Sequence, residues 1–99
     1  MKNRIENLNK AFESRVRLGI MSVLMVADQV DFVTLKEQLQ VTDGNIASHI
    51  TALEKLSYIK VEKKFIGKKP NTTYTATSQG KKAFKEHINA LEKLIRQTL

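Results

Sequence analysis

The side chains best suited to chemistry in this 99-residue chain lie between Val41 and Leu56. Thr42, Asn45, Ser48, His49 and Thr51 are short or flat, polar, and close together. Such groups exchange hydrogen bonds with base edges or phosphates at short range. An Asn amide, donor and acceptor at once, matches adenine in the major groove. Ile46, Ile50, Leu53 and Leu56 repeat at i, i+4, i+7 and i+10, which places one apolar stripe along a helix. Asn45, Ser48, Thr51, Ala52 and Lys55 then fall on the other side, where a Glu/Lys covering is usual. A small polar face approaches another surface closely; an ordinary solvated face is the competing account. His49, on the flank, either contacts a base or phosphate or steadies the helix through a backbone hydrogen bond.

A second set is cationic. Lys60, Lys63, Lys64, Lys68 and Lys69 crowd residues 60–69 against one acid, Glu62. Lys63, Lys64, Lys68 and Lys69 can neutralise phosphates, each contact releasing counterions. Lysines also protect exposed strand edges from aggregation, and both uses can hold together. Arg15 and Arg17 are further phosphate candidates, a structural ion pair being the other use of Arg17, and Lys55 is a backbone candidate. A net charge of +7 and a pI near 9.8 favour a polyanionic partner.

Other chemistries lack their residues. Without cysteine there is no disulfide, thiolate nucleophile or cysteine metal site. Neither His49 nor His87 has an acid or second His at ligand spacing, so no metal is expected. No glycine-rich phosphate loop, nucleophile elbow or acid pair flanked by a base is present, so neither an enzyme nor a cofactor is expected. Met21 and Met25 read as core filler rather than an effector pocket. The longest apolar run, residues 20–27, contains Ser22 and is too short to span a bilayer. The first six residues hold no signal-peptide core, so the chain is expected in the cytoplasm with no membrane partner.

The elements that must position these residues follow from periodicity and caps. Length and 41% hydrophobic content suit one core and a single domain, residues 1–99. The first dozen residues, with Ile5, Leu8 and Phe12, form a short helix or an arm anchored by Phe12. Ser14 caps a mostly buried helix to about Val26, because its apolar residues fall on more than one side. Residues 28–31 then form a loop, and Phe32-Val33 a short extended piece. Thr34-Leu35-Lys36-Glu37 has the pattern of a capping box and opens a short helix to about Gln40. Thr42 caps the helix described first, giving a helix-turn-helix over about 34–56.

Residues 59–65 alternate apolar and charged, as a half-buried strand does. Residues 66–71 turn, with Gly67 permitting a positive φ, and residues 72–77 return as a β-branched strand. The hairpin, about 59–77, has a cationic tip and is a wing. Ser78 or Thr77 caps a last helix to about Thr98, with Phe84, Ile88, Leu91, Leu94, Ile95 and terminal Leu99 in an a/d-like seam. A core of this size cannot cover that helix, so a second copy of the chain is the natural partner. Its interface is expected at Phe84, Ile88, Leu91, Leu94 and Ile95.

These segments carry a family likeness. Residues 53–61 (Leu-Glu-Lys-Leu-Ser-Tyr-Ile-Lys-Val), 65–72 (Phe-Ile-Gly-Lys-Lys-Pro-Asn-Thr) and 77–84 (Thr-Ser-Gln-Gly-Lys-Lys-Ala-Phe) closely resemble the short winged-helix DNA-binding transcriptional regulators. These regulators sit in the MarR/ArsR-like superfamily. Residues 17–21 resemble that family's first helix, 32–35 the start of its second, and 42–50 its recognition helix. The likeness runs in one order from about Phe12 to Leu91. It implies a homodimer on operator DNA, with the recognition helix in the major groove and the wing at the adjacent minor groove. Ala47 stands where many relatives carry Ser, Lys68 where the wing tip often carries Arg, and Ala76 where Leu is usual; Lys lacks the planar fork of Arg.

The expected fold is α+β, mostly α: a winged helix-turn-helix with a long C-terminal dimerisation helix, about 78–98. The expected function is a sequence-specific, homodimeric transcriptional repressor bound to double-stranded DNA. Helix 42–56 would read the major groove, and wing residues 60–75 the adjacent minor groove or phosphates. Two other classes compete: a winged-helix protein-docking module and a non-specific architectural DNA-binding protein. A small effector is compatible with this plan, but no residue set identifies one.

Overall fold

Ser14 and Thr42 open two helices by the same means. Each hydroxyl accepts the N–H three residues on, from Arg17 and from Asn45, both at 3.3 Å. Each bond satisfies a donor that a helix's first turn leaves unpaired. In this computed structural model, which describes residues 5–98, the caps start α1 (Arg15–Val26) and α3 (Asp43–Lys55). Between them lie β1 (Val30–Asp31) and α2 (Phe32–Leu39). After α3 come β2 (Ile59–Ile66), β3 (Lys69–Ala76) and α4 (Ser78–Thr98). The sequence expectations for residues 1–4 and for Leu99 lie outside the described residues.

Helix α1 is the centre of the core. Its Ile20, Met21 and Leu24 are fully buried, as are Leu35 of α2 and Ile46 and Leu53 of α3. The apolar stripe expected on α3 therefore packs inward at Ile46, Ile50 and Leu53, but not at Leu56, which lies just past the helix end and is 43% exposed. Gln40, at φ 54°, and Ser57, at φ 63°, take left-handed conformations that end α2 and α3 abruptly. The first of these makes the turn between the two helices tight.

The structure corrects the expected element boundaries in three places. Helix α2 starts at Phe32, not Thr34, because Asp31 occupies the cap: its Oδ1 accepts the Thr34 N–H at 2.7 Å. That hydrogen bonding also holds the Asp31 carboxyl below its ordinary pKa. Phe32 and Val33 are accordingly helical rather than extended. Val30 and Asp31, expected in a loop, are a strand; they pair antiparallel with Tyr74 and Thr73, giving the sheet order β1-β3-β2. Burial of Val30 makes that short pairing worthwhile. The hairpin turn is also tighter than 66–71. Phe65 pairs with Pro70 and Ile66 with Lys69, so only Gly67 (φ +65°) and Lys68 turn the chain. Pro70, which has no N–H, is tolerated because β1 does not extend that far along β3.

The N-terminal segment is an arm tied to the other end of the chain. Two short 3₁₀ turns, Ile5–Asn7 and Lys10–Phe12, deliver Phe12 into the core. Its ring stacks on Tyr58 at 5.6 Å and meets Phe84 edge-on at 5.2 Å. Asn9 donates its backbone N–H to His87 Nδ1 and its amide to the Tyr58 hydroxyl, both at 3.0 Å. Burial pushes the His87 imidazole below its ordinary pKa, against the opposing pull of Glu13.

Of the two candidate caps for α4, Thr77 fills the role, its Oγ1 accepting the Gly80 N–H at 2.9 Å. Phe84 is buried in the chain's own core, whereas Ile88, Leu91 and Ile95 are 40%, 39% and 51% exposed. Leu94 is half-buried. Met21 is core, as expected; Met25 is half-buried and borders an open groove between α1 and α4, about 400 Å³, together with Phe84 and Ile88.

Candidate nucleic-acid interface

The inward packing of Ile46, Ile50 and Leu53 turns the opposite side of α3 to solvent. Thr42, Asn45, Ser48, Thr51 and Lys55 are all exposed there. Asn45 and Arg15, the first residue of α1, border one open hollow of about 370 Å³. The structure thus brings the expected adenine reader beside an expected phosphate binder. Lys36 ties α2 to the start of α3 by an ion pair with Asp43 at 2.8 Å, which offsets an acidic charge next to this surface.

Two hydroxyls on the face are already engaged. Ser48 Oγ donates to the Asn45 carbonyl at 3.3 Å and Thr51 Oγ1 to the Ala47 carbonyl at 3.1 Å. With their protons pointing into the helix, both oxygens offer lone pairs outward and behave as acceptors. Thr42 differs: its oxygen accepts the cap bond, leaving the hydroxyl proton free to donate.

His49 and Arg17 bond to each other, which neither reading of either residue anticipated. Arg17 Nε donates to His49 Nδ1 at 3.0 Å, both side chains being half-buried. Arg17 therefore makes no ion pair among the described residues, and His49 is steadied by a side chain rather than by backbone. Because Nδ1 accepts, the neutral ring carries its proton on Nε2, which remains a donor. The pair also joins α1 to α3, setting how the exposed polar face of α3 is presented.

The wing supplies the cations. Lys63, Lys64, Lys68 and Lys69 are exposed and stand outside the ion pairs found among the described residues. Lys60 is paired with Glu62 at 3.3 Å. Lys63 and Thr51 border a second hollow, about 310 Å³, between the base of the wing and α3. Glu54 and Ala47 border it too. Glu54 was missed by the sequence reading, although Ala47, Thr51 and Glu54 at i, i+4 and i+7 already shared a helix face. Lys55, at the last turn of α3, lies about 15 Å along the axis from Asn45 and does not join that cluster.

Among the described residues there is no His/Cys/Asp/Glu grouping able to hold a metal ion, and no helix is long and apolar enough to cross a membrane. Residues 16–95 match the family described as the winged helix DNA-binding domain. This chain belongs to that family. An uncharacterised protein of Methanocaldococcus jannaschii is 35% identical over 79 residues, 80% of this chain and 86% of that one. A transcriptional regulator homologue from Pyrococcus horikoshii OT3 superposes with a TM-score of 0.78 at 30% identity, over 94% of this chain and 97% of that one. Sco3205, a MarR-family regulator from Streptomyces coelicolor solved in complex with DNA, shares the fold at a TM-score of 0.68 and 15% identity, over 95% of this chain and 65% of that one. The winged-helix architecture expected from the sequence is the one found, and solved transcriptional regulators share its fold.

Proposed function

We propose that this winged-helix protein is a sequence-specific transcriptional repressor that binds double-stranded DNA as a homodimer. Helix α3 enters the major groove, and the wing meets the adjacent minor groove or its phosphates. The observation that carries the reading is the continuity of one surface: Arg15 beside Asn45, then Ser48 and Thr51, then Lys63 across the hollow at the wing's base. Cations at both ends of a small polar face fit phosphates flanking exposed base edges. The DNA complex of the Streptomyces regulator, which shares this fold, supports the assignment of partner. Exposed Ile88, Leu91 and Ile95 on α4 support a second copy as the dimer partner, with Leu94 beside them. Phe84 serves the subunit's own core and orients that helix instead. Repression follows from occlusion of a promoter by the bound dimer.

The test is fluorescence anisotropy with a duplex from upstream of the protein's own gene and a scrambled duplex, over a salt series. Preference for the first of at least about 10³-fold is expected of a specific regulator. Equal affinity for both with a steep salt slope replaces it with architectural binding. No binding at low salt removes the DNA reading and leaves protein docking.

A further inference from the structure

The end of the wing is built of residues that phosphate neutralisation does not need. Phe65 is 73% exposed and Ile66 65%, consecutive residues on opposite faces of the hairpin just before the turn. The strand register sorts the hairpin into two faces. Ile59, Val61, Lys63 and Phe65 share one with Ala76, Tyr74, Thr72 and Pro70. That face begins in the core, where Ile59 and Tyr74 are buried, and passes the hollow shared with α3. Followed outward, it ends at Phe65 with Pro70 directly opposite. Residues 63–70 are all exposed, so the tip projects roughly 14 Å beyond the body. Phe65 therefore lies on the α3-facing side of a projecting finger, braced by a rigid neighbour.

We infer that this tip is an apolar wedge for the DNA minor groove, with Phe65 the residue that enters it. The inference rests on the DNA-binding reading above and adds a mechanism to it. Lys63, Lys64, Lys68 and Lys69 surround the apolar pair, and seating the tip in an apolar protein groove would strip water from four ammonium groups. A duplex suits the same arrangement: phosphates line the rim for the lysines, and stacked bases lie inside for the ring. Phe and Ile wedges partly unstack a base step and kink the duplex by roughly 20–90° toward the major groove. With α3 in the adjacent major groove, that bend folds the DNA onto Asn45, Ser48 and Thr51. Pyrimidine–purine steps unstack most readily, so the wing selects such a step without a hydrogen bond to any base.

The experiment uses the whole protein and duplexes from upstream of its gene. One set carries end labels for energy transfer and the other 2-aminopurine at successive positions under the wing. Wild type should shorten the end-to-end distance and raise 2-aminopurine fluorescence at one step. Phe65→Ala, at an exposed site and checked by circular dichroism, should bind on the order of tenfold more weakly with an unchanged salt slope, and lose both signals. Phe65→Trp should keep them. Lys68→Ala with Lys69→Ala should lower the salt slope yet still bend whatever DNA is bound. A Phe65→Ala protein that bends and unstacks like wild type overturns the wedge. Wild type that binds without bending overturns the wedge alone; wild type that binds no duplex overturns the DNA reading with it. Capture by phosphatidylglycerol vesicles that needs Phe65, without any DNA bend, would reassign the tip to a membrane surface. Loss of self-association in Phe65→Ala would reassign it to a contact between copies.

Discussion

Two glycines with similar surroundings in the sequence have opposite physical roles. A Cβ on Gly80 would collide with the Tyr58 carbonyl, whose oxygen accepts the Thr77 N–H at 3.0 Å. Neither backbone can yield without breaking the joint between the wing and α4. Gly80→Ala should cost on the order of 3 kcal/mol in urea unfolding. At Gly44, in the first turn of α3, an added Cβ meets nothing within 4 Å. Gly44→Ala should stabilise the protein by about 0.5–1 kcal/mol, because alanine restricts the unfolded chain and favours helix; a loss instead would show that this backbone is not relaxed. Gly80 lay in the segment that resembled the family, but only the approach of Tyr58 explains why a side chain is forbidden there. Asn45 is the third residue to test. If it reads adenine, Asn45→Ala should relax preference at one base position by about 1–3 kcal/mol, measured by a competition series of single-base variants. An unchanged preferred site would return it to the solvated face.

Elements were legible in the sequence where one local signal ruled, and misread where two competed. Ser14 and Thr42 had no rival caps and start α1 and α3 as expected. At α2 the capping-box spacing of Thr34 and Glu37 was real, but Asp31 reached the Thr34 N–H first, a contest that pattern alone does not decide. Strand β1 was invisible because two residues carry no periodicity; only the pairing partner, β3, makes Val30–Asp31 a strand. The Arg17–His49 bond joins residues far apart in the chain, and its partners became evident only once α1 and α3 were packed. The arm adds a pH prediction at this scale. His87 Nδ1 accepts from Asn9, which only the neutral ring can do, and burial holds its pKa below 6.5 in the folded state. The unfolded chain therefore takes up the proton first. Stability is full above about pH 6.5 and falls as pH drops below it, until the folded-state His87 itself titrates. Thermal melts from pH 7.5 to 5.5 should show this fall in wild type and a shallower one in His87→Gln. Equal slopes would show that the arm's clasp is not pH-linked.

At the scale of the whole molecule the shape carries information. The radius of gyration is 15.1 Å, against about 13 Å for a compact domain of similar length, and the longest dimension is 59 Å. The wing and α4 account for the excess. Helix α4 has 21 residues, about 32 Å of axis, and only its first half is held in the core, through Gly80, Phe84 and His87. The heptad-like spacing of its apolar residues was readable from the sequence. What was not readable is where burial within the chain ends, because Phe12, some seventy residues upstream, claims Phe84. Beyond it Ile88, Leu91 and Ile95 lie at i, i+3 and i+7, the geometry that lets two helices share a seam. In the proposed dimer this seam sets the spacing of the two α3 helices, which successive major grooves require to be about 34 Å. Leu91→Glu with Ile95→Glu places four carboxylates in a twofold contact, each needing water that the seam excludes. Sedimentation should then show monomers with the circular dichroism of wild type, since neither residue belongs to the subunit core. DNA binding should weaken by on the order of a hundredfold or more, because the second half-site is no longer delivered by the first. Persistent dimers would move the interface off α4 and toward the arm. Monomers that bind DNA as tightly as wild type would show that one subunit is the functional unit and that a single α3 and wing suffice for recognition.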